Sequence, residues 1–363
     1  PYMASIIAHE NMNVYAYVSI VEAALKLGIV FLLRIIPADK LIVYGILLAS
    51  VAIINTSIYR LYCHRHYEEC KFCFVKDLAL FKEMVSYSGW NLFGTLAGVF
   101  KGQITNILLN LYFGSVVNAA RAIASQVNSA VSSFAQSFTT AIRPPIIKTF
   151  ASGEKEKSFI FVCRGSKYTF FLLFMLALPL CLEMNIVLRI WLKNPPVDAV
   201  LFTRLVIIET VFVSLSYSIM TLSQATGKIK LYQGIVGGIL LLNLPVSWIA
   251  LKFGAPAYSV MLIAICVEII AFFSRIIIVK HLTYFSIRLF FLKTMLPCFL
   301  VALMTSLIPT LVFFVMKENF LRLLIIVITS VAGMIVSVLF VGMTKEERKS
   351  AIEKINKKFK CNE

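Results

Sequence analysis

The sequence predicts an all-α polytopic membrane protein, and three observations carry that fold class. Its 363 residues are 60% hydrophobic with a mean hydropathy of +0.87, a composition outside the soluble globular classes. Only 15% of the residues are charged, yet the formal net charge is +17. In a membrane protein such an excess is an orientation signal rather than a nucleic-acid signal. The apolar residues also gather into ten runs, each near the ~20 residues a helix needs to cross hydrocarbon.

The first 13 residues, PYMASIIAHENMN, read as an inter-helix loop without the charged start of a signal peptide, so further helices are expected upstream. Runs 14–33 and 41–58 follow as the first two spans. The basic connection 59–88 is the expected boundary between two helical bundles. Within it, Leu78, Phe81, Met84 and Val85 lie beside Lys76, Lys82 and Glu83, the pattern of a short interfacial helix. Run 89–113 carries Gly94, Gly98 and Gly102, whose spacing of four suits close approach of another helix. Run 116–142 is the most polar span. Run 159–191 is longer than a bilayer requires, so its first turns, with Arg164 and Lys167, are expected to protrude or snorkel. Runs 201–225, 231–251 and 257–274 continue the bundle, and 294–316 and 323–343 close it. Pro179, Pro245, Pro297 and Pro309 fall within spans, where proline kinks helices and can mark hinges. Asn243 with Pro245 is the best hinge candidate. The tail 344–363 reads as a basic helix resting on anionic lipid, or as a solvated charged end.

Lys and Arg set the orientation. Connections 59–88, 143–158, 226–230 and 275–293 with tail 344–363 hold 22 of them, against 6 in the alternate connections. The long loops and both ends are therefore expected in the cytoplasm. Eight cysteines do not form a spaced framework, so no structural disulfide is expected. Cys63, His64, His66, Cys70 and Cys73 offer zinc-type ligands, but no second CxxC or HxxxH follows, and no metal is expected.

The candidate site begins in 116–142. From Arg121, steps of one helical turn meet Ser125, Asn128, Ser132, Gln136, Thr139 and Arg143, all on one helix face. Val117, Ile123, Val127, Val131, Phe134 and Phe138 occupy the other faces. An unpaired polar group in lipid costs several kcal/mol. The stripe must therefore face neighbouring helices or a water-filled cavity. Charges at its ends favour the cavity. Lys101 sits twelve residues into its span, near the midplane, where it needs water, an anion or a carboxylate. Glu22 and Lys26 are spaced i,i+4 in the favourable order. They form either a private salt bridge or a switchable pair in a transport path. The expected lumen residues are thus Lys26, Lys101, Arg121, Asn128, Gln136 and Arg143, with Glu22 a candidate for ion coupling.

The chain has no Gly-rich phosphate loop, HExxH or GxSxG, and the outward connections are short. An enzyme is not expected. Several stretches resemble Wzx-type polysaccharide flippases, which export O-antigen or capsule repeat units: KEMVSYSGWNLFGTLAG, ILLNLYFGSVVNAARAIASQVNSAVSSFAQSFTTAIRPPIIKTFASGE, LSQATGKIKLYQ and LLNLP. The resemblance covers most of residues 1–280 and fades in the last two spans. It places the chain in the multidrug/oligosaccharidyl-lipid/polysaccharide exporter superfamily, beside the MATE transporters.

The resemblance implies a MATE-like bundle of two six-helix lobes around a central cavity. Residues 1–58 would end the N-lobe, 59–88 would link the lobes, 89–274 would form the C-lobe, 275–343 two extra helices and 344–363 the tail. The first four helices would lie outside this chain. The implied activity is movement of undecaprenyl-pyrophosphate-linked oligosaccharide across the bacterial inner membrane by alternating access through a cationic cavity, without a cofactor. Lys or Arg in a cavity of low dielectric suits a diphosphate. The implied partners are the lipid-linked oligosaccharide, membrane lipids, a polysaccharide polymerase and a chain-length regulator, with no nucleic acid. The alternatives are a MATE-like drug or cation antiporter, which needs acidic residues in its cavity, and a non-transporting membrane enzyme or assembly protein of polysaccharide synthesis.

Overall fold

The computed structural model describes residues 2–9, 11–35, 39–70, 77–344 and 347–349. Among them there is no strand, and nine helices, some running on across a break, are long and apolar enough to cross a membrane. The chain is an all-α polytopic membrane protein. The ten expected runs and nine observed spans describe the same segments. Runs 89–113 and 116–142 fall in one helix, α4 (Leu78–Ala151), interrupted at Gly114 with φ 80° and ψ −173°. Leu108 and Leu109 before Gly114 and Ala120 and Ala124 after it share one core cluster, so the chain doubles back there. Only glycine reaches that φ without a Cβ penalty.

The chain divides into two compact units, Pro1–Phe81 and Lys82–Glu363. The first comprises α1 (Tyr2–Ala8), α2 (Met12–Ile35) and α3 (Lys40–His66). Asp39 caps α3, its carboxylate accepting from the Leu41 amide at 2.9 Å. Residues 59–66, expected in a loop, continue α3, because nothing before Tyr67 breaks the helix. Ile6, Val18, Tyr59 and Cys63 form the core of this end. His9 stacks on Tyr67 with ring centroids 4.1 Å apart and pairs with Glu69. Asn11 donates to the Tyr62 hydroxyl at 3.0 Å. Cys63, His66 and Cys70 are engaged in local contacts: His66 bonds the Tyr62 carbonyl, the Cys63 thiol donates to the Tyr2 carbonyl, and the Cys70 thiol donates to the Ser5 hydroxyl. No three metal-capable side chains converge among the described residues, and Cys73 lies outside them.

α4 starts at Leu78, four residues before the second unit begins, and continues into it. The short interfacial helix expected around Leu78, Phe81, Met84 and Val85 is instead the first turns of α4, because Gly89 alone does not interrupt a helix. At the other end α4 runs through Pro144 and Pro145 to Ala151, so the expected connection 143–158 shrinks to three residues before α5 (Lys155–Leu192). α5 departs from helical geometry at Glu183 (φ −102°, ψ 23°), one turn after Pro179. Proline removes a helix hydrogen bond and crowds the carbonyl four residues back. α6 (Ala199–Ser214) and α7 (Tyr217–Ala225) are one span broken at Leu215 and Ser216. α8 (Ile229–Leu241) and α9 (Asn243–Lys252) are another, broken at Leu242, where Pro245 cannot donate to the Leu241 carbonyl. α10 (Ser259–Thr283) runs nine residues beyond the expected span end. α11 (Ile287–Phe290), a π-turn at Phe291–Met295 and α12 (Leu296–Val315) precede α13 (Phe320–Ser337) and a second π-turn.

Burial gains little between apolar helices in lipid, so packing and interhelical polar contacts hold the unit together. One core cluster joins α5, α7, α10 and α12 through Phe170, Phe171, Ile219, Phe272 and Val301. A second joins the α4 hairpin to α5, α6 and α10 through Ala124, Met184, Phe202 and Met261. Arg322, counted above as an outward-loop cation, is 6% exposed. Its Nε lies 2.6 Å from Glu183 Oε1, and it donates to the Met316 carbonyl at the end of α12 at 3.0 Å. It locks α12 and α13 onto the α5 bend. Removing Arg322 and the similarly buried Arg275 from their loops leaves the charge asymmetry intact. A cysteine placed at Asn194, exposed between α5 and α6, is therefore expected to react with an impermeant thiol reagent from outside intact cells, and native Cys73 and Cys361 to stay unlabelled. Labelling in the opposite sense would invert the topology.

Candidate functional site

The doubled-back α4 brings its two polar faces together. Gly98, Lys101 and Thr105 on the first arm and Arg121, Asn128 and Ser132 on the second line one cavity of about 290 Å³. α6 and α10 complete it with Glu209 and Glu268. The three glycines of the first arm do different things. At Gly94 an added Cβ would overlap the Gln233 side chain, which donates to Asn91 at 3.0 Å, so this position is a helix–helix contact. Nothing lies within 4 Å of a Cβ at Gly98 or Gly102. These two do not pack a helix, contrary to the expectation from spacing. Their missing side chains leave the cavity open beside Lys101. Gly98→Leu and Gly102→Leu are therefore expected to keep protein abundance, since each improves helix propensity by about 0.5–1 kcal/mol. They should lower transport by filling the cavity. Unchanged transport in both would show that the cavity is not on the path.

Lys101 is not a free cation. Its ammonium donates to Glu209 Oε1 at 2.6 Å and to Glu268 Oε1 at 2.9 Å. Behind the cavity, Arg275 donates to the other oxygen of Glu268 at 3.1 Å and to the Ser216 hydroxyl at 3.2 Å. Ser216 lies at the break between α6 and α7. A kinked span, two carboxylates and two cations thus form one hydrogen-bonded network. In a water-poor interior such a network is stable only with its partners present.

Arg121 differs. It lines the cavity without an ion-pair partner among the described residues, and its Nε and one terminal nitrogen are buried without a hydrogen bond. Buried donors of a charged group normally find acceptors, so these nitrogens set Arg121 apart from the paired Lys101. Asn128, on the same arm, accepts from the Thr210 hydroxyl at 2.5 Å and lines the same cavity. The lining is charge-balanced, Lys101 and Arg121 against Glu209 and Glu268, rather than uniformly cationic.

The remaining sequence candidates lie elsewhere. Gln136 and Arg143 are exposed and are not part of the cavity lining, because the second arm leaves the cavity beyond Ser132. In the first unit, Glu22 accepts from Lys26 at 2.6 Å and from Asn55 at 2.7 Å, tying α2 to α3. The sequence reading missed Glu209, Glu268 and Arg275 as site residues. The first two were visible as acidic residues within spans. Arg275 was assigned to a loop because the run of apolar residues was ended at 274. Its spacing of seven from Glu268 on one helix face was the available signal.

A family model described as polysaccharide biosynthesis protein matches residues 4–150. That match takes in the first unit and the whole α4 hairpin, with Lys101, Arg121 and Asn128, but not α6 and α10. No curated protein and no solved structure matches.

Proposed function

We propose that the chain is part of a flippase that moves undecaprenyl-pyrophosphate-linked oligosaccharide across the bacterial inner membrane by alternating access. It takes no cofactor and carries out no covalent chemistry. The observation that carries this reading is Arg121, a half-buried arginine whose Nε and one terminal nitrogen are buried without an acceptor, beside a polar cavity of about 290 Å³. A guanidinium fork matches two phosphate oxygens at once. The match of residues 4–150 to a polysaccharide biosynthesis family supports the same class of substrate. Alternating access would let the kinks in α5 and at the α6–α7 and α8–α9 breaks absorb the change in shape. Reconstitution of the full-length protein in vesicles tests the proposal. A fluorescent undecaprenyl-pyrophosphate-linked sugar should become accessible in the opposite leaflet faster than in protein-free vesicles. Equal rates would overturn the assignment.

One observation favours a second reading. Glu209 and Glu268 both face the cavity, and paired carboxylates are what a MATE-like cation antiporter requires. That reading expects the same vesicles to move protons against an organic cation and to leave the lipid-linked sugar where it was.

A further inference from the structure

A second charged cavity lies in the same unit, at the end of α5 that the charge asymmetry assigns to the cytoplasm. It is a half-open cavity of about 350 Å³ whose lining includes Arg164, Lys167, Lys293, Thr344 and Glu347. Lys167 is 3% exposed at its side chain, and its ammonium donates to Glu347 Oε2 at 2.7 Å. Arg164 Nε donates to the other oxygen of Glu347 at 2.9 Å. The Thr344 amide also donates to Glu347, at 2.9 Å. Lys293 sits exposed at the rim on the π-turn before α12, without a partner among the described residues. Two cations thus bond one carboxylate that comes from beyond the last span, and a third lines the same cavity. Burial works to raise the Glu347 carboxyl, and hydrogen bonds from Lys167 and the Thr344 amide, with the charges of Lys167 and Arg164, outweigh it and hold it below the ordinary carboxylate range.

A lysine buried to this degree requires an anion, since removing one partner of a buried pair leaves an uncompensated charge. One carboxylate satisfies Lys167 and half of Arg164, and leaves Lys293 and most of the cavity volume unused. A phosphate offers more oxygens and up to one more negative charge to a cavity that all three cations line. We propose that this cavity is a binding site for a phosphate group, and that Glu347 is the internal anion which the phosphate displaces. Glu347 then reports occupancy: with the site empty it joins the segment after α13 to α5, and with phosphate bound it is released. The phosphate can belong to an anionic lipid headgroup at the membrane surface or to a soluble anion. The proposal stands apart from the transport reading, because it concerns binding at a different cavity.

The test uses the full-length protein in detergent and in nanodiscs. The probes are inorganic phosphate, pyrophosphate, and dioleoyl phosphatidic acid with phosphatidylcholine as the control lipid. Native mass spectrometry and equilibrium dialysis read the binding. Glu347→Gln removes the competitor, and phosphate affinity is expected to rise by roughly tenfold, the effect of about one well-placed charge. Adding Lys167→Gln to Glu347→Gln deletes the buried charge together with its partner, so folding is preserved and binding is expected to vanish. Lys293→Gln leaves the ion pair untouched and is expected to weaken binding several-fold, which keeps the test valid should the Glu347 variant not fold. Binding of inorganic phosphate or pyrophosphate supports a soluble ligand, and binding of phosphatidic acid alone supports a headgroup. No gain with Glu347→Gln, or binding indifferent to Lys167→Gln and Lys293→Gln, overturns the proposal.

Discussion

Arg121→Ala is expected to cut export of surface polysaccharide roughly 10- to 100-fold at unchanged protein abundance. The magnitude follows from losing charge-assisted hydrogen bonds to a phosphate, about 1.5–3 kcal/mol together. Abundance should hold because Arg121 has no ion-pair partner to strand among the described residues. Its buried nitrogens are already without acceptors, so truncation relieves a cost rather than creating one. Arg121→Lys separates two versions of the idea. Partial export would mean that charge suffices, and near-complete loss would mean that the planar fork is needed. Normal export by Arg121→Ala, measured beside an equal-abundance control, would remove the anion site from the mechanism.

Lys101→Ala is expected to behave in the opposite way. The ion-pair network makes it a folding defect before it is a transport defect. Glu209 and Glu268 would lose the ammonium that bridges them at 2.6 and 2.9 Å. Breaking a buried pair this way costs about 3–5 kcal/mol, enough to deplete a marginally stable protein from the membrane. The sharper check is compensation. In the double variant Lys101→Met, Glu209→Gln, one positive and one negative charge leave together, and the buried Glu268–Arg275 pair at 3.1 Å stays intact. Abundance is expected to recover in large part, with transport still absent if the network takes part in the cycle. Lys101→Ala accumulating to the level of the unmodified protein would show that the three groups are not interdependent.

Lys101 and Arg121, which a one-dimensional reading treats alike, thus separate into an ion-paired cation and one without an ion-pair partner among the described residues. The polar stripe of the second α4 arm was legible because its period is that of the helix itself. Arg121, Asn128 and Ser132 face the cavity from that stripe. The same period carries on to Gln136 and Arg143, and there it misleads, because a cavity ends where neighbouring helices end, which no period records. The glycines of the first arm show a similar limit. Gly94, Gly98 and Gly102 share a spacing, yet only Gly94 meets another helix closely.

The sequence by itself determined the fold class, the spans and the break between residues 113 and 116. These depend on composition and on apolar run length, both local properties. Element ends were less secure. Arg275 and Arg322 read as loop cations, since a charge in a span is costly until a partner is found. Tertiary structure alone decided which charges meet. Lys101 reaches Glu209 and Glu268 across 108 and 167 residues of chain, and Glu347 reaches Lys167 across 180. Such pairs leave no trace in local periodicity. They arise when the folding of several helices brings side chains together in a medium that offers them no water, so that each must find its partner within the protein.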